Sequence, residues 1–158
     1  MNTLTIVRGC SGCGKSTYIK EVIKNNVSVD MSYSFKIVSA DAFFMKTDDD
    51  DNSFYDFDPS LLSVAHSWCL SEFISAIRNN TPNIFVDNTN IHHWEYQNYL
   101  KIAKMHGYII YIVELMPVTI NDLRVCIERN QHKVPAAVVS RMCIDFEPDK
   151  NASVRSFK

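Results

Sequence analysis

Apolar residues follow two patterns along this chain, namely short continuous runs and a recurrence every three or four positions. The short runs predict β-strands at residues 4–7, 35–39, 84–87 and 108–115. The recurrence places apolar side chains on one face of a helix, and it occupies the intervals between the runs. Strands that alternate with helices favour an α/β fold, here a doubly wound parallel sheet flanked by helices.

Polar residues and glycine indicate where two of these helices begin and end. Asp58 and Pro59 predict the start of the longest helix, because aspartate caps a helix and proline is tolerated at its first position. A second helix, from about residue 93, ends before Gly107, where a left-handed C-terminal cap is expected. The apolar faces predicted for these two helices are Leu62, Ala65, Cys69, Phe73 and Ala76, and Tyr96, Tyr99, Leu100 and Ala103.

The remaining segments complete a prediction of one domain over residues 1–158, without internal repeats. Helices are expected at about 119–130 and 135–146, joined by a polar turn. The strand at 108–115 is nearly continuous in apolar residues, which favours burial on both faces. Residues 45–58 are polar and acidic and predict a mobile surface loop, and the polar tail at about 148–158 is expected to fray.

Composition limits which binding partners and which cellular compartment are expected. A net charge of −2 excludes a broad basic face, so any nucleic acid would be bound locally. The five cysteines lack the spacing of a disulfide framework or a zinc site, which favours a reducing, cytoplasmic setting. No signal peptide is recognisable, and no apolar stretch approaches the roughly 18 residues that span a bilayer, so no membrane contact is expected.

The most specific motif is Gly9-Cys10-Ser11-Gly12-Cys13-Gly14-Lys15-Ser16-Thr17, which contains three of the four glycines. Its spacing, G-x-x-x-x-G-K-[ST], is that of the Walker A phosphate-binding loop. A predicted strand precedes it and a helical pattern follows it, which is the context that this loop requires. The motif predicts that residues 9–17 bind ATP. A chance match stays open, as does a redox or metal role for the C-x-x-C pair within the loop.

Three polar residues extend the loop into a site for a nucleotide and Mg²⁺. Lys15 is expected to reach the β- and γ-phosphates, and the hydroxyl of Ser16 to bind Mg²⁺. Asp87 ends an apolar strand, as a Walker B aspartate does, and is expected to orient the metal. The alternative for Asp87 is a cap or an Asx turn with Asn88.

Asp41 and Arg129 are the candidates for the transfer step. Asp41 follows the second strand, at the edge where doubly wound folds bind ligands, and its carboxylate could accept the proton of an acceptor hydroxyl. Arg129 lies in a basic segment between two helices, within a predicted helical lid at about 124–142. A lid arginine would stabilise the charge on the transferred phosphoryl group. Turn capping by Asp41 and a solvated helix end at Arg129 are the alternatives, and Arg124, Lys133 and Arg141 are lesser lid candidates.

Two further features leave more than one interpretation open. His66 falls on or beside the predicted inward face of its helix, so it is either a core histidine or an acceptor-site ligand. The run Asp48–Asp51 is either a solvated loop or a cation site.

Taken in chain order, these signatures resemble the polynucleotide-kinase-like group of P-loop kinases, which includes the kinase domain of phage polynucleotide kinase. The resemblance covers roughly residues 3–147 and rests on the Walker A loop and four further segments. Those segments are Ser39-Ala40-Asp41, Ala65-His66, Asp87-Asn88-Thr89-Asn90 and Arg129-Asn130-x-His132-x-Val134-Pro135.

The resemblance implies transfer of the γ-phosphoryl group of ATP, with Mg²⁺, to the 5′-hydroxyl of a polynucleotide. In that family the residue corresponding to Asp41 is the general base, and the lid arginine corresponds to Arg129. One departure is clear, because the family's arginine three residues after the aspartate is Phe44 here. That change leaves open a smaller or modified acceptor, such as a nucleoside, a metabolite or a hydroxymethylated base in DNA. A non-catalytic ATP-binding module is the third hypothesis.

Overall fold

In the computed structural model, which describes residues 1–157, strands and helices alternate along most of the chain. The elements are β1 (Thr3–Arg8), α1 (Lys15–Val29), β2 (Phe35–Val38), β3 (Met45–Thr47), β4 (Ser53–Tyr55), α2 (Leu62–Arg78), β5 (Asn83–Asp87), α3 (Gln97–Met105), β6 (Ile109–Glu114), α4 (Ile120–Arg129), α5 (Ala136–Asp145) and β7 (Ser153–Val154). Short 3₁₀ turns cover Ala40–Phe44, Pro59–Leu61 and His93–Glu95.

Five strands form one parallel sheet in the order β2-β5-β1-β6-β7. Leu4 and Ile6 of β1 pack with the apolar faces of α2 and α3 on one side of this sheet. Val7 of β1 packs on the other side, with apolar residues of α1, α4 and α5. Helices therefore cover both sides, which confirms the predicted α/β fold with a mostly parallel sheet flanked by helices.

Two of the predicted apolar faces need correction. Leu62 is 43% exposed, because the 3₁₀ turn at Pro59–Leu61 comes first and leaves Leu62 at the solvated start of α2. β6 is buried only in its second half, since Ile109 is 37% and Tyr111 52% exposed. The other residues predicted for the faces of α2 and α3 are buried, and Gly107 has the expected left-handed backbone, with φ +73°.

The segment at residues 45–58, predicted as a mobile surface loop, contains two short strands. β3 and β4 pair as an antiparallel hairpin that stands apart from the main sheet, and the run Asp48–Asp51 lies at its tip. The Asp48 carboxylate accepts the backbone N–H groups of Asp50 and Asn52, at 3.0 and 2.9 Å. Within residues 1–157, no group of three or more His, Cys, Asp or Glu side chains is arranged to hold a metal ion.

The prediction of a frayed tail is also wrong for the residues that the structure describes. β7 pairs with the end of β6, and the backbone N–H of Arg155 donates to the carbonyl oxygen of Glu114 at 2.9 Å. These bonds pair the last two residues of β6 and give the sheet a fifth strand. Lys158, the last residue of the predicted tail, lies outside the described residues.

One segment, Pro59–Arg78, is long and apolar enough to cross a membrane by length and composition alone. In the structure its apolar residues Ala65, Cys69 and Phe73 belong instead to the core beneath the sheet. Length and composition alone are weak evidence for a membrane span, because the core helix of a globular domain passes the same test.

Candidate active site at the carboxyl edge of the sheet

The glycine-rich segment forms a tight loop between β1 and α1, and α1 begins at Lys15. Gly14, with φ +94°, turns the chain into the helix, and the backbone N–H of Tyr18 donates to the Gly14 carbonyl at 2.9 Å. The Lys15 ammonium donates to the carbonyl oxygens of Gly9 and Cys10, both at 3.1 Å. Free N–H groups at the start of a helix and a lysine across the loop make this an anion-binding surface.

Gly12 is required by the close approach of α4 to this loop. Its φ is +78°, and a Cβ built there would lie 1.9 Å from the backbone carbonyl oxygen of Cys126. Backbone atoms cannot move aside as the end of a flexible side chain can, so the loop and α4 would have to separate. Gly107 differs, because its φ is +73° but a Cβ there would meet nothing within 4 Å.

Gly12→Ala is therefore expected to destabilise the protein more than Gly107→Ala. Both substitutions strain a left-handed backbone, at a cost of roughly 1–2 kcal/mol. Gly12→Ala adds an overpacking cost of about 1–3 kcal/mol, because it clashes with α4. Urea unfolding of the two variants gives the comparison, and equal losses of unfolding free energy would contradict the close packing of the loop against α4.

The C-x-x-C pair of the loop is buried beneath it. Cys10 is 0% and Cys13 2% exposed, and both pack with Cys126 in the core between the sheet and α4. A hydrogen bond with the Cys126 thiol and burial raise the pKa of Cys10 above its usual range. A hydrogen bond with Cys10 and burial likewise raise the pKa of Cys13. At neutral pH both side chains are thus neutral thiols, and all five cysteines are free.

Ser16 and Asp87 meet directly at the sheet edge. The Ser16 hydroxyl donates to Oδ2 of Asp87 at 2.6 Å, and Asp87 ends β5, opposite Val7 of β1. A hydroxyl and a carboxylate are oxygen donors of the kind that Mg²⁺ prefers when phosphates supply further ligands. The side chain of the neighbouring Asn88 binds to a different element, since its Oδ1 accepts the backbone N–H of Ala40 at 2.9 Å.

Asp41 lies in the 3₁₀ turn that follows β2. Ser39 caps that turn by accepting the backbone N–H of Asp41 at 3.2 Å, so the Asp41 carboxylate is not used as the cap. The carboxylate is 51% exposed, and its Oδ1 accepts the Tyr55 hydroxyl at 3.1 Å. The imidazole Nε2 of His132 lies 3.5 Å from Oδ2. The structure thus brings residues from β4 and from the α4–α5 connection to this carboxylate.

Phe44 does not line the surface beside Asp41. Its side chain is 2% exposed, and its ring contacts the rings of Tyr55 and Phe57 edge-on, with centroids at 6.0 and 5.0 Å. Phe44 therefore supports the aromatic residues of the hairpin from below. An apolar ring at this position supplies no cation beside Asp41.

Arg129 is the last residue of α4, and its guanidinium lies 5.6 Å from the centroid of the Phe157 ring. It borders a cavity of about 320 Å³ that is also lined by Gly14, Thr17 and Arg155. The cavity opens beside the phosphate loop, at the first turn of α1. Arg129 thus lies beside the glycine loop and the first turn of α1.

The other predicted residues are solvent-exposed. Arg141 pairs with Asp145 on its own helix, with Nε 2.8 Å from Oδ2. His66 is exposed on α2, which excludes the interpretation as a core histidine. Arg124 and Lys133 are exposed on α4 and on the connection that follows it.

Arg8, which belongs to no recognisable sequence motif, is buried beneath the site. It is 0% exposed, and its guanidinium donates to Glu114 Oε2 at 2.9 Å and to the carbonyls of Asn90, Ile91 and Glu147 at 2.8, 3.1 and 2.7 Å. The rings of Tyr96 and Phe146 each lie 4.6 Å from its central carbon. The one signal in the sequence was a charged residue at the end of each of two apolar strands. These residues, Arg8 and Glu114, lie opposite each other in the parallel register of β1 and β6.

Comparison with known proteins agrees with this fold and loop. A family model described as an AAA domain matches residues 4–148. NEDD4-binding protein 2 from Homo sapiens is 28% identical over 144 residues, which are 91% of this chain but 8% of that protein. The chain therefore spans a small part of the length of this relative.

Two solved structures show the same fold at low sequence identity. Kti12 from Chaetomium thermophilum, in complex with ADP-AlF3, superimposes with a TM-score of 0.63 at 12% identity, covering 98% of this chain and 88% of that chain. A gluconokinase from Sinorhizobium meliloti 1021 gives a TM-score of 0.53 at 12% identity, covering 98% and 82%. Because the family model covers most of its length, the chain belongs to the AAA domain family and has a P-loop kinase-like fold.

Proposed function

We propose that this protein is a kinase that transfers the γ-phosphoryl group of ATP, with Mg²⁺, to a hydroxyl group, with the 5′-hydroxyl end of a polynucleotide as the leading acceptor. The observation that carries the proposal is the Asp41 carboxylate. It is half-exposed at the same sheet edge as the phosphate loop, and it is free of the capping role that Ser39 fulfils. A carboxylate so placed can take a proton from an acceptor.

The donor half of the proposed site consists of the loop and three side chains. Residues 9–17 would bind the phosphates through backbone N–H groups, and Lys15 would leave the loop carbonyls to pair with the β- and γ-phosphates. Ser16 and Asp87 would hold Mg²⁺, which neutralises charge that develops on the phosphate oxygens. Arg129, beside Gly14 and Thr17 in the wall of the 320 Å³ cavity, would stabilise the transferred group.

The acceptor half centres on Asp41. As the acceptor oxygen attacks the γ-phosphorus, its proton passes to the Asp41 carboxylate and the bond to the β-phosphate oxygen breaks, which releases ADP. The proton then leaves Asp41 for solvent. The two halves lie one strand apart along the sheet edge. β1 leads into the phosphate loop, β2 leads to Asp41, and β5 lies between them.

A second candidate, a kinase of a small or modified acceptor, is favoured by the surroundings of Asp41. Phe44 is buried where the family has a cation, and Lys46 on the neighbouring hairpin is already paired with Asp56. An acceptor without a phosphate next to its hydroxyl would need no cation there.

The five free thiols are in keeping with the proposed reducing, cytoplasmic setting.

The proposal is tested by transfer of labelled γ-phosphate from ATP to DNA and RNA oligonucleotides with 5′-hydroxyl ends. Nucleosides, sugars and DNA with hydroxymethylated bases form the second set of acceptors. ATP at 100 times its Kd should stabilise the folded protein by about 2.7 kcal/mol, and Lys15→Ala should lose most of that gain. Stabilisation by ATP without transfer to any acceptor would support the non-catalytic module and refute the kinase.

A further inference from the structure

Three elements that are distant in sequence converge on the Asp41 carboxylate. Asp41 itself lies in the turn after β2, Tyr55 ends the β3–β4 hairpin, and His132 lies in the lid segment, defined here as residues 130–135 between α4 and α5. The Tyr55 hydroxyl donates to Oδ1 at 3.1 Å, and His132 Nε2 is 3.5 Å from Oδ2. The tyrosine and histidine also touch each other, with ring centroids 4.2 Å apart.

Tyr55 is held beside the carboxylate by packing against other aromatic rings. Phe57 stacks parallel to its ring, at 6.1 Å and 4°, and buried Phe44 contacts both rings edge-on. The hairpin is tied to the turn of Asp41 by the backbone N–H of Asp56, which donates to the Phe44 carbonyl at 2.9 Å. Burial and then the Asp41 charge raise the pKa of the Tyr55 hydroxyl, so it remains a donor at neutral pH.

His132 approaches the other carboxylate oxygen of Asp41 from the lid segment. Asn130 shapes the lid segment by donating its side-chain amide to the Val134 carbonyl at 2.6 Å, and Lys133 has a left-handed φ of +52°. This turn carries the imidazole out over Tyr55. The same segment follows Arg129 directly, so one connection joins the wall of the 320 Å³ cavity to the Asp41 carboxylate.

We propose that Tyr55 and His132 are positioning residues for Asp41. Docking of the lid segment and orientation of the Asp41 carboxylate, the general base, then occur in the same step. Tyr55 holds Oδ1 and leaves Oδ2 for the acceptor proton. His132 packs on the Tyr55 ring and flanks Oδ2, and the half-exposed carboxylate keeps room for a hydroxyl. The positioning role rests on the kinase function proposed above.

The contact is tested first without an activity measurement, by NMR of the histidine ring protons. The close ring contact, with centroids 4.2 Å apart, places the His132 protons in the ring current of Tyr55, so Tyr55→Leu is expected to shift them. His106, exposed at the end of α3, is the internal control and should keep its signals. Unchanged His132 signals in Tyr55→Leu would overturn the contact, whatever the activity of the protein.

The positioning role is tested by separating kcat from KM. Tyr55→Phe removes only the hydroxyl, and the loss of one hydrogen bond to a charged group is expected to lower kcat about tenfold, with KM for ATP unchanged. Tyr111→Phe, a half-exposed tyrosine on β6, is the matched control and should keep the wild-type kcat. Wild-type kcat in Tyr55→Phe would overturn the role of Tyr55.

The lid contribution is measured with His132→Ala, which is expected to lower kcat and raise KM for the acceptor. His132→Phe keeps a ring that can stack on Tyr55 and should restore part of the loss, whereas His106→Ala should have no effect. Equal kinetics in His132→Ala and the wild type would overturn the role of His132.

The two proposals fail in different ways. If the wild type transfers phosphate to no acceptor, the kinase function fails and the positioning role with it, while the NMR experiment still decides whether the lid segment contacts Tyr55. If the wild type transfers phosphate and both Tyr55→Phe and His132→Ala match it, the positioning role alone fails.

Discussion

Asp41→Asn is expected to lower phosphoryl transfer by about 10²- to 10⁴-fold, the usual contribution of a positioned general base. Asparagine has the shape of aspartate, and its amide oxygen can still accept the Tyr55 hydroxyl, so the local packing should survive. The amide cannot take a proton from the acceptor at neutral pH. The loss should therefore fall on kcat, with ATP binding unchanged, as measured by labelled-phosphate transfer and by the thermal shift with ATP.

Asp56→Asn is the matched control for Asp41→Asn. Asp56 is a half-exposed carboxylate next to the same hairpin, where it pairs with Lys46. An exposed pair of this kind contributes about 0–1 kcal/mol to stability, and its loss should leave transfer unchanged. Transfer within a few-fold of wild type in Asp41→Asn would remove Asp41 from the proposed mechanism.

Arg8→Met should reduce the free energy of unfolding by about 3–5 kcal/mol, the cost of removing one partner of a buried ion pair. Methionine occupies similar volume between the rings of Tyr96 and Phe146 but donates no hydrogen bond. Glu114, 4% exposed, would lose its ion-pair partner, and the carbonyls of Asn90, Ile91 and Glu147 would lose their donor. Urea unfolding provides the measurement.

The penalty in Arg8→Met should shrink at low pH. Burial already raises the pKa of Glu114 above its usual value in spite of Arg8, and removing the guanidinium raises it further. The folded variant then binds a proton more tightly than the unfolded chain, so stability is highest below the unfolded pKa of glutamate and falls as pH rises through the folded pKa.

Arg141→Met is the control for charge removal in general. Arg141 pairs with Asp145 at i,i+4 and its side chain is 71% exposed, so its loss should cost about 0.3–0.5 kcal/mol. A loss in Arg8→Met as small as that in Arg141→Met would show that the buried network is not needed to hold β1, β6 and the segment after α5 together.

The parts of the site that the sequence predicted are local in the chain. The glycine loop, Lys15 and Ser16 occupy consecutive positions, and Asp41 and Asp87 each follow an apolar run that identifies a strand end. Local sequence therefore determined the phosphate loop, the strands that support it and the edge at which the carboxylates lie. The alternation of strands and helices determined the α/β fold in the same way.

Other features depend on contacts between distant residues, and only the tertiary structure decided them. β7 pairs with β6 through backbone groups, and this pairing leaves no side-chain pattern in the sequence. The β3–β4 hairpin is not predicted, because its acidic tip makes the whole segment resemble a loop. Tyr55 and His132 reach Asp41 only because the hairpin and the lid segment fold over one sheet edge. Arg8 and Glu114 are 106 positions apart and become partners through the parallel register of β1 and β6. Local periodicity reports which side of an element is buried, whereas the partner across the interface is set by how the elements pack.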